Sequence, residues 1–310
     1  MSDSRLDISD ALTWEEDLPR PQWDLIGTWV ESHTEPDRQR DAWVEIARQW
    51  LTHLREALGP QHETAESDEF LILAPTEDSS ADALVWFAGK CRERLQSVLA
   101  GVANFDIPGK HVVIAFREQD EYYQYVSAFC PEGELGGSAG MHIREGYPHV
   151  VAAGRHLWML ENTLAHELTH VALHLREMPQ RLEEGLAQMF EHDITGRGLL
   201  QMDSEMAGRH KRYWTKHGLD DFWRGEGFSR PGKVQELSYQ LAEILARLLV
   251  EDGRPRWFGL VREPLHRFSG FLYEAAAVDC GQKAARDYLG FDLSDLEARF
   301  LGTGSWNPSL

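Results

Sequence analysis

The sequence has few cysteines, no long apolar run and no leader-like start. Cys91, Cys130 and Cys280 are widely spaced and odd in number, so neither a disulfide framework nor a cysteine-based zinc site is expected. No apolar stretch approaches the roughly 18 residues that a transmembrane helix needs. Residues 1–7 lack the basic and apolar regions of a signal peptide. We therefore expect a cytoplasmic protein without membrane partners.

The chain is also short of positive charge. Its 31 Lys and Arg residues face 51 Asp and Glu residues, which gives a formal net charge of −20. Nucleic acids and anionic membranes are therefore not expected partners, because phosphate binding depends on clustered Lys and Arg. A hydrophobic content of 42% over 310 residues is still enough to bury a sizeable core.

The most informative feature that is present is an HExxH pattern over residues 166–170. On an α-helix, the four-residue spacing places His166 and His170 on one face, about one turn apart, where both imidazoles can bind one metal ion. Glu167 lies beside that face, within reach of a metal-bound water. The pattern alone also occurs by chance, so its interpretation depends on the surrounding sequence.

The surrounding sequence predicts a helix over residues 157–178. No Gly or Pro interrupts this stretch, and Pro179 indicates where it stops. Apolar residues recur at steps of three and four, as one buried helix face requires. These residues are Leu157, Leu160, Leu164, Leu168, Val171, Ala172 and Leu175.

A catalytic zinc site usually has three protein ligands and one open position, so a third ligand is expected. The best candidates are Glu183 and Glu184, in a second predicted helix over residues 181–190. Gly185 lies inside that helix at a cost of about 1 kcal/mol relative to Ala, which suggests close approach by another element. A crossing of the two predicted helices at this glycine would bring a carboxylate to the metal. Alternatively, the two carboxylates form a solvated acidic first turn, which is favourable at any helix N-terminus. The predicted buried face consists of Leu182, Leu186, Met189 and Phe190.

These two segments resemble the gluzincin metallopeptidases, and more specifically the short bacterial domains described as peptidase-MA-like. The resemblance rests on residues 163–170, Thr-Leu-Ala-His-Glu-Leu-Thr-His, and on residues 182–187, Leu-Glu-Glu-Gly-Leu-Ala. It extends weakly over most of residues 68–310.

The resemblance implies a zinc ion (Zn²⁺) bound by His166, His170 and Glu184, with Glu167 as the general base. Glu184 is preferred to Glu183 because it directly precedes the glycine, as the ligand of this family does. Two departures keep Glu183 open as an alternative ligand. The aminopeptidase-type relatives have Asn at the position of Glu183, and the thirteen residues between His170 and Glu184 are fewer than in those enzymes.

Gluzincins often carry a phenol that donates a hydrogen bond to the oxyanion. The resemblance implies Tyr239 for this role, near the start of a predicted helix over residues 235–251. Tyr213, His210 and His217 are rival candidates for the donor. The alternative for Tyr239 is a half-buried structural aromatic.

Other polar residues near the motif are given lesser roles. His174 continues the four-residue series, but three ligands on one straight helix would span about 12 Å, too far for one ion. We therefore expect His174 to line the cleft or to contact a ligand. Hydrogen-bond partners of the ligand imidazoles are also expected, and Gln188, Glu191 and Asp193 are the candidates.

The predicted fold class is α+β, with a small mixed or antiparallel sheet lobe followed by zinc-binding helices and a mainly helical C-terminal lobe, as in gluzincins. Runs of β-branched and apolar residues predict strands over residues 68–75 and 111–116. Residues 136–143 and 149–153 predict a hairpin. In the family, a strand at the position of residues 138–143 borders the cleft and can pair with an extended substrate.

Two domains are predicted. Residues 1–66 form an N-terminal helical extension and linker, with the polar run over residues 61–68 as the linking segment. Residues 67–310 form the peptidase-MA-like domain, divided into a sheet lobe over residues 67–155 and a helical lobe over residues 156–310.

A last helix is predicted near the C-terminus, over residues 293–301. Ser294 followed three residues later by Glu297 has the pattern of a capping box, in which each side chain accepts a hydrogen bond from the backbone of the other residue. This helix also resembles the terminal helix of the family.

The main hypothesis is a zinc-dependent peptidase that acts on peptide or protein substrates. Zinc would lower the pKa of its bound water and polarise the scissile carbonyl. Glu167 would accept the proton of that water and pass it to the leaving amine. The alternative is a zinc-binding, catalytically inactive scaffold or sensor protein. Hydrolysis of a non-peptide bond at the same site is a third hypothesis.

Overall fold

The computed structural model describes residues 7–76, 81–130, 138–198, 203–252, 263–304 and 306. These residues form a mixed α+β protein. The chain divides into two compact units. The first comprises Met1–Glu93 and Phe105–Leu168, and the second comprises Arg94–Asn104 and Thr169–Leu310. Among the helices of the described ranges, none is both long and apolar enough to cross a membrane.

The first unit is built around a mixed β-sheet. The described strands of this unit are β1 (Leu12–Glu15), β2 (Leu18–Pro21), β3 (His62–Glu66), β4 (Phe70–Pro75), β5 (His111–Phe116), β6 (Gly140–Ile143) and β7 (His149–Ala153). The order of the main sheet is β3-β4-β5-β7-β6. β4, β5 and β7 are parallel, whereas β3 and β6 pair antiparallel at the two edges. β1 and β2 form a separate antiparallel pair.

Two central strands that the sequence predicts are confirmed. β4 lies within the predicted range 68–75, and β5 covers residues 111–116 as predicted. Every residue of both strands is buried, which explains their continuous apolar sequence, because central parallel strands are covered on both faces. The predicted hairpin is present as β6 paired with β7, although Gly136 and Gly137 lie outside the described residues.

The N-terminal helices share a core with this sheet. The helices that begin in the first unit are α1 (Trp23–His33), α2 (Gln39–Leu58), α3 (Ala81–Val98), α4 (Gln119–Val126) and α5 (Leu157–Leu173). Ile26 of α1 and Trp50 of α2 belong to one buried cluster with Leu71, Val112 and Val151 of the sheet. The helices before residue 59 are therefore part of the core of the first unit.

The prediction that residues 61–68 form a linker is wrong. Most of this run is β3, the edge strand that pairs with β4. Its polar sequence suits an edge position, where one set of alternate side chains stays accessible. Glu66 of β3 pairs with Arg48 at 2.6 Å and with Lys110 at 2.5 Å, and these cations lower the pKa of Glu66 to about 2. The division of the chain after residue 66 stays a prediction.

In its described parts, the second unit consists of helices and their connections. They are α6 (Gln180–Thr195), α7 (Ser204–His217), α8 (Asp220–Trp223), α9 (Glu226–Ser229), α10 (Lys233–Asp252), α11 (Glu263–Glu274), α12 (Gln282–Ala284) and α13 (Leu293–Leu301). α10 contains the helix predicted over residues 235–251, and α13 covers residues 293–301 as predicted. A mainly helical second half is therefore confirmed.

The capping box of α13 lies two residues before the predicted one. Asp292, rather than Ser294, is the N-cap, and it exchanges hydrogen bonds with Asp295. The side-chain oxygen of Gln282 accepts from the backbone N–H of Leu293 at 3.2 Å, which holds the same turn. Because this earlier pair satisfies the capping pattern, Glu297 is left to point into the core of the second unit, where it is fully buried.

Glu297 has no hydrogen-bond partner for either carboxyl oxygen among the described residues. Arg181, which is also buried, supplies a nearby positive charge. Its Nη2 donates to the carbonyl of Cys280 at 2.7 Å, and its guanidinium lies 4.3 Å from the ring centroid of Trp223. Burial raises the pKa of Glu297 to about 8, and the charge of Arg181 offsets this only in part.

We expect the free energy of unfolding to fall as the pH rises from about 4.5 to about 8, because the folded protein holds the Glu297 proton more tightly than the unfolded chain does. The slope from this one group is at most about 1.4 kcal/mol per pH unit. Glu297→Gln stays neutral, so its stability should vary less with pH and exceed that of the parent at about pH 9. Urea unfolding followed by circular dichroism measures this, with the exposed Glu56→Gln as the control. Parallel pH curves for the parent and Glu297→Gln would contradict the expectation.

Candidate metal centre

The HExxH residues lie on α5, a continuous helix, as the sequence predicts. Of the seven residues predicted to form the buried face, six lie on α5, and five of these are buried: Leu160, Leu164, Leu168, Val171 and Ala172. His166 and His170 lie on a partly accessible face, and Glu167 between them is only 7% exposed. The helix therefore presents two imidazoles with one carboxylate held beside them.

α5 ends five residues earlier than predicted. The carbonyl of Ala172 accepts a hydrogen bond from the backbone N–H of Asn104 at 2.8 Å, and Nδ1 of His174 lies 2.7 Å from the carbonyl of Val171. The carbonyls of Val171 and Ala172 thus have hydrogen-bond partners that a further turn of the helix would otherwise have supplied. Leu175 is consequently 58% exposed and does not belong to the buried face, which corrects the prediction.

The second helix of the site, α6, contains the predicted range 181–190 but begins one residue earlier, at Gln180, and runs on to Thr195. Glu183 and Glu184 occupy its first turn and the start of the next. All four positions predicted to form its buried face are buried: Leu182, Leu186, Met189 and Phe190. The packing of this face leaves the two carboxylates on the partly accessible side, near α5.

His166, His170 and Glu184 form a group that is able to hold a metal ion. Each offers one ligand atom, and these atoms all lie within 4.8 Å of one another. Nε2 of His170 is 3.6 Å from Oε2 of Glu184, close to the ~3.4 Å edge of a tetrahedral site with bonds near 2.1 Å. Among the described residues, no other set of three or more His, Cys, Asp or Glu side chains is grouped in this way. His174 is outside the group.

Glu183 contacts the other nitrogen of the same imidazole. Its Oε1 lies 2.9 Å from Nδ1 of His170. With Nδ1–H donating to this carboxylate, Nε2 is left with its lone pair directed towards Glu184, the tautomer that a metal ligand needs. The partner of His170 is thus Glu183, which was not among the sequence candidates, and Asp193 of those candidates pairs instead with Arg247 at 3.0 Å. The sequence did contain a pattern that could have indicated this role for Glu183, namely two adjacent glutamates about one turn into the predicted helix.

Gly185 is a point of close approach, as predicted, but the approaching element is α10 and not α5. A Cβ added at Gly185 would lie 2.3 Å from the carbonyl oxygen of Ala242 and 3.3 Å from Cβ of Ala246. Backbone atoms cannot yield to such a contact in the way that a side-chain end can. The absence of a side chain at Gly185 therefore lets α6 and α10 pack backbone to backbone, one residue beyond Glu184.

Tyr239 lies on α10 about one turn before the contact at Ala242. It is half-buried, and its ring meets Phe228 edge-on at 5.1 Å between centroids. This places the phenol on the helix that packs against α6. Its role as an oxyanion donor stays a prediction.

The rival donors are engaged in contacts of α7. His210 is fully buried, accepts from Nε1 of Trp214 at 3.2 Å, and has its pKa lowered to about 4 by burial. Tyr213 stacks on His217 at 4.6 Å between ring centroids. Whether any of these three side chains acts as the donor stays a prediction.

The comparisons with known proteins give no family. No protein-family model matches the chain, and a search of curated proteins finds no match. The geometry of the site and the resemblance of its two short segments are therefore the basis for proposing a function.

Gly185→Ala should destabilise the protein by about 1 to 3 kcal/mol, because the new methyl group forces the backbones of α6 and α10 apart. Thermal and urea unfolding measure this loss. Gly208→Ala in α7 is the matched control, since its methyl would meet only the flexible end of Arg212, and a helical Gly→Ala change in open space is normally favourable. Equal stability of the two variants would show that the close contact at Gly185 has been misjudged.

Proposed function

We propose that this protein is a zinc-dependent metallopeptidase. The observation that carries the proposal is the group of His166, His170 and Glu184, whose ligand atoms all lie within 4.8 Å of one another. Glu167, the residue after His166 on the same helix, is buried. Two imidazoles and one carboxylate are a usual ligand set of catalytic zinc sites, which keep a fourth position open. The resemblance of residues 163–170 and 182–187 to gluzincin peptidases supports the choice of zinc over other divalent ions.

When bound, zinc supplies Lewis acidity that polarises the scissile carbonyl and makes water a stronger acid. His166, His170 and Glu184 hold the ion. Glu183 holds the ring of His170 in one orientation and one tautomer by accepting from Nδ1–H. A carboxylate in this position also makes the imidazole a stronger electron donor.

Glu167 is the general base. It accepts a proton from the attacking water and passes that proton to the leaving amine. Because its side chain is only 7% exposed, few alternative orientations are open to it, and bulk water competes little for its oxygens. Tyr239 donates a hydrogen bond to the developing oxyanion, a contribution of typically about 3 kcal/mol.

The proposed substrate is a peptide or protein in extended conformation. β6 is at one end of the strand order of the main sheet, and an edge strand offers unpaired backbone groups to which an extended chain can add. Binding through backbone groups would recognise main chain rather than a particular side chain.

Glu167→Gln should retain stoichiometric zinc while peptide hydrolysis falls by at least about 100-fold, because the amide cannot accept the proton. Elemental analysis and cleavage of a mixed peptide library measure the two properties. Glu161→Gln, on the same helix but outside the ligand group, is the matched control and should keep activity.

Three outcomes would decide against all or part of the proposal. Full hydrolysis by Glu167→Gln would refute the role of this carboxylate. A parent protein that binds zinc but cleaves no peptide in the library would favour the alternative, an inactive zinc-binding scaffold or sensor. A parent protein without stoichiometric metal would refute both.

Glu183→Ala should weaken zinc binding by about 10- to 100-fold, because His170 loses the group that orients it. Glu183→Gln keeps an acceptor oxygen and should lose less, whereas Glu184→Ala should lose most because a donor atom disappears. Competition with a chromophoric chelator measures all three affinities. A larger loss of zinc affinity for Glu183→Ala than for Glu184→Ala would instead indicate that Glu183 is the ligand and that Glu184 orients His170.

A further inference from the structure

Gly140, the first residue of β6, lies against the general base. A Cβ added there would be 2.3 Å from Cγ2 of Thr163, 2.9 Å from Oε1 of Glu167 and 3.0 Å from Cγ of Glu167. Carbon atoms of folded proteins rarely approach so closely, because repulsion rises steeply inside van der Waals contact. Any side chain at this position would therefore press on two successive turns of the same face of α5.

Position 140 requires glycine because there is no room for a side chain, and not because the backbone adopts an unusual conformation. Gly140 is not among the glycines with positive φ, so an alanine could adopt the same extended conformation. In a strand, Ala is in fact favoured over Gly on conformational grounds. The effect of a substitution at Gly140 must then come from contact with Thr163 and Glu167.

The strand is held in place and cannot simply retreat. Gly140 is opposite Ala152 in the antiparallel register of β6 and β7, and the backbone N–H of Ala153 donates to the carbonyl of Ala139 at 2.7 Å. The hydroxyl of Ser138 donates to the carbonyl of Gly140. Because β7 is a buried strand, a displacement of β6 would disturb the sheet itself.

α4 fixes the same end of β6 from a second side. Oη of Tyr122 lies 3.0 Å from Oγ of Ser138, and Nε2 of Gln119 donates to the carbonyl of Ser138 at 2.6 Å. Tyr122 is itself fully buried. The backbone at Gly140 is thus set by two neighbouring elements before it meets Glu167.

We propose that Gly140 is a positioning residue for Glu167. Because Gly140 has no side chain, β6 can pass close to the Glu167 carboxylate. Van der Waals contact with the strand backbone then limits the positions that the carboxylate can adopt. The contact restricts where the carboxylate lies without binding substrate or metal. This role rests on the proposed function only in so far as Glu167 is the general base.

The first test is Gly140→Ala, with Gly89→Ala in α3 as the matched control because a methyl there meets nothing within 4 Å. Gly140→Ala should lower kcat by about 10- to 100-fold, since displacement of a catalytic group by about 1 Å is enough for such a loss. Zinc affinity should stay within about twofold of the parent, because no ligand atom is touched, and the fall in kcat should exceed any change in KM. A purely structural defect would change metal content as well.

The second test needs no activity. Gly140→Ala should lower the melting temperature of the parent protein, and the loss should be smaller in a Glu167→Ala background and in a Thr163→Ser background, where contacting atoms are removed. If Gly140→Ala alone does not fold, recovery of folding in either double variant supports the contact. Failure of both double variants to recover folding would overturn it.

The two tests separate this inference from the proposed function. Melting temperatures that couple positions 140 and 167 in a protein that cleaves no peptide would support the contact while the peptidase proposal fails. A folded Gly140→Ala with unchanged kcat, or a loss of stability that is the same in all three backgrounds, would overturn the inference even if the parent is an active peptidase.

Discussion

The close packing of α6 against α10 at Gly185 determines where Glu183 and Glu184 lie. Only a residue without Cβ allows the carbonyl of Ala242 to lie where it does. The contact fixes α6 just beyond its first turn, which is where Glu183 and Glu184 project. A packing requirement inside the helical unit therefore determines where two charged side chains meet His170, and no charged group has to supply the energy that holds them there.

His170 shows how one imidazole organises both carboxylates. Glu183 lies at Nδ1 and Glu184 faces Nε2, at 2.9 and 3.6 Å. The shorter contact has the length of a charge-assisted hydrogen bond, whereas the longer one leaves room for an ion between donor atoms. Adjacent residues of a helix point about 100° apart, so they can reach opposite edges of a ring that lies between them. This arrangement explains why a pair of glutamates, rather than one, precedes the glycine.

Much of the fold could be predicted from patterns that act over a few residues. The strand over residues 111–116 and the helix over residues 293–301 have the predicted ends, although the capping box of that helix lies two residues before the predicted one. The predictions differ from the structure where a residue distant in sequence determines the local structure. α5 stops early because the amide of Asn104 takes a carbonyl of its last turn, and the element at Gly185 was misassigned because sequence does not tell which helix comes near. His166 and His170 were recognisable from their four-residue spacing, whereas the preference for Glu184 over Glu183 came from the resemblance to gluzincins, in which the ligand directly precedes a glycine.

Aromatic rings join the N-terminal helices to the sheet of the first unit. Trp50 meets Trp23 and His149 edge-on, each at 5.1 Å between ring centroids, and Tyr147 packs beside them. Removal of the residues ahead of β3 would take both indole rings from the sheet and leave His149 and Tyr147 exposed to water. The first unit therefore needs its N-terminal helices to keep its core.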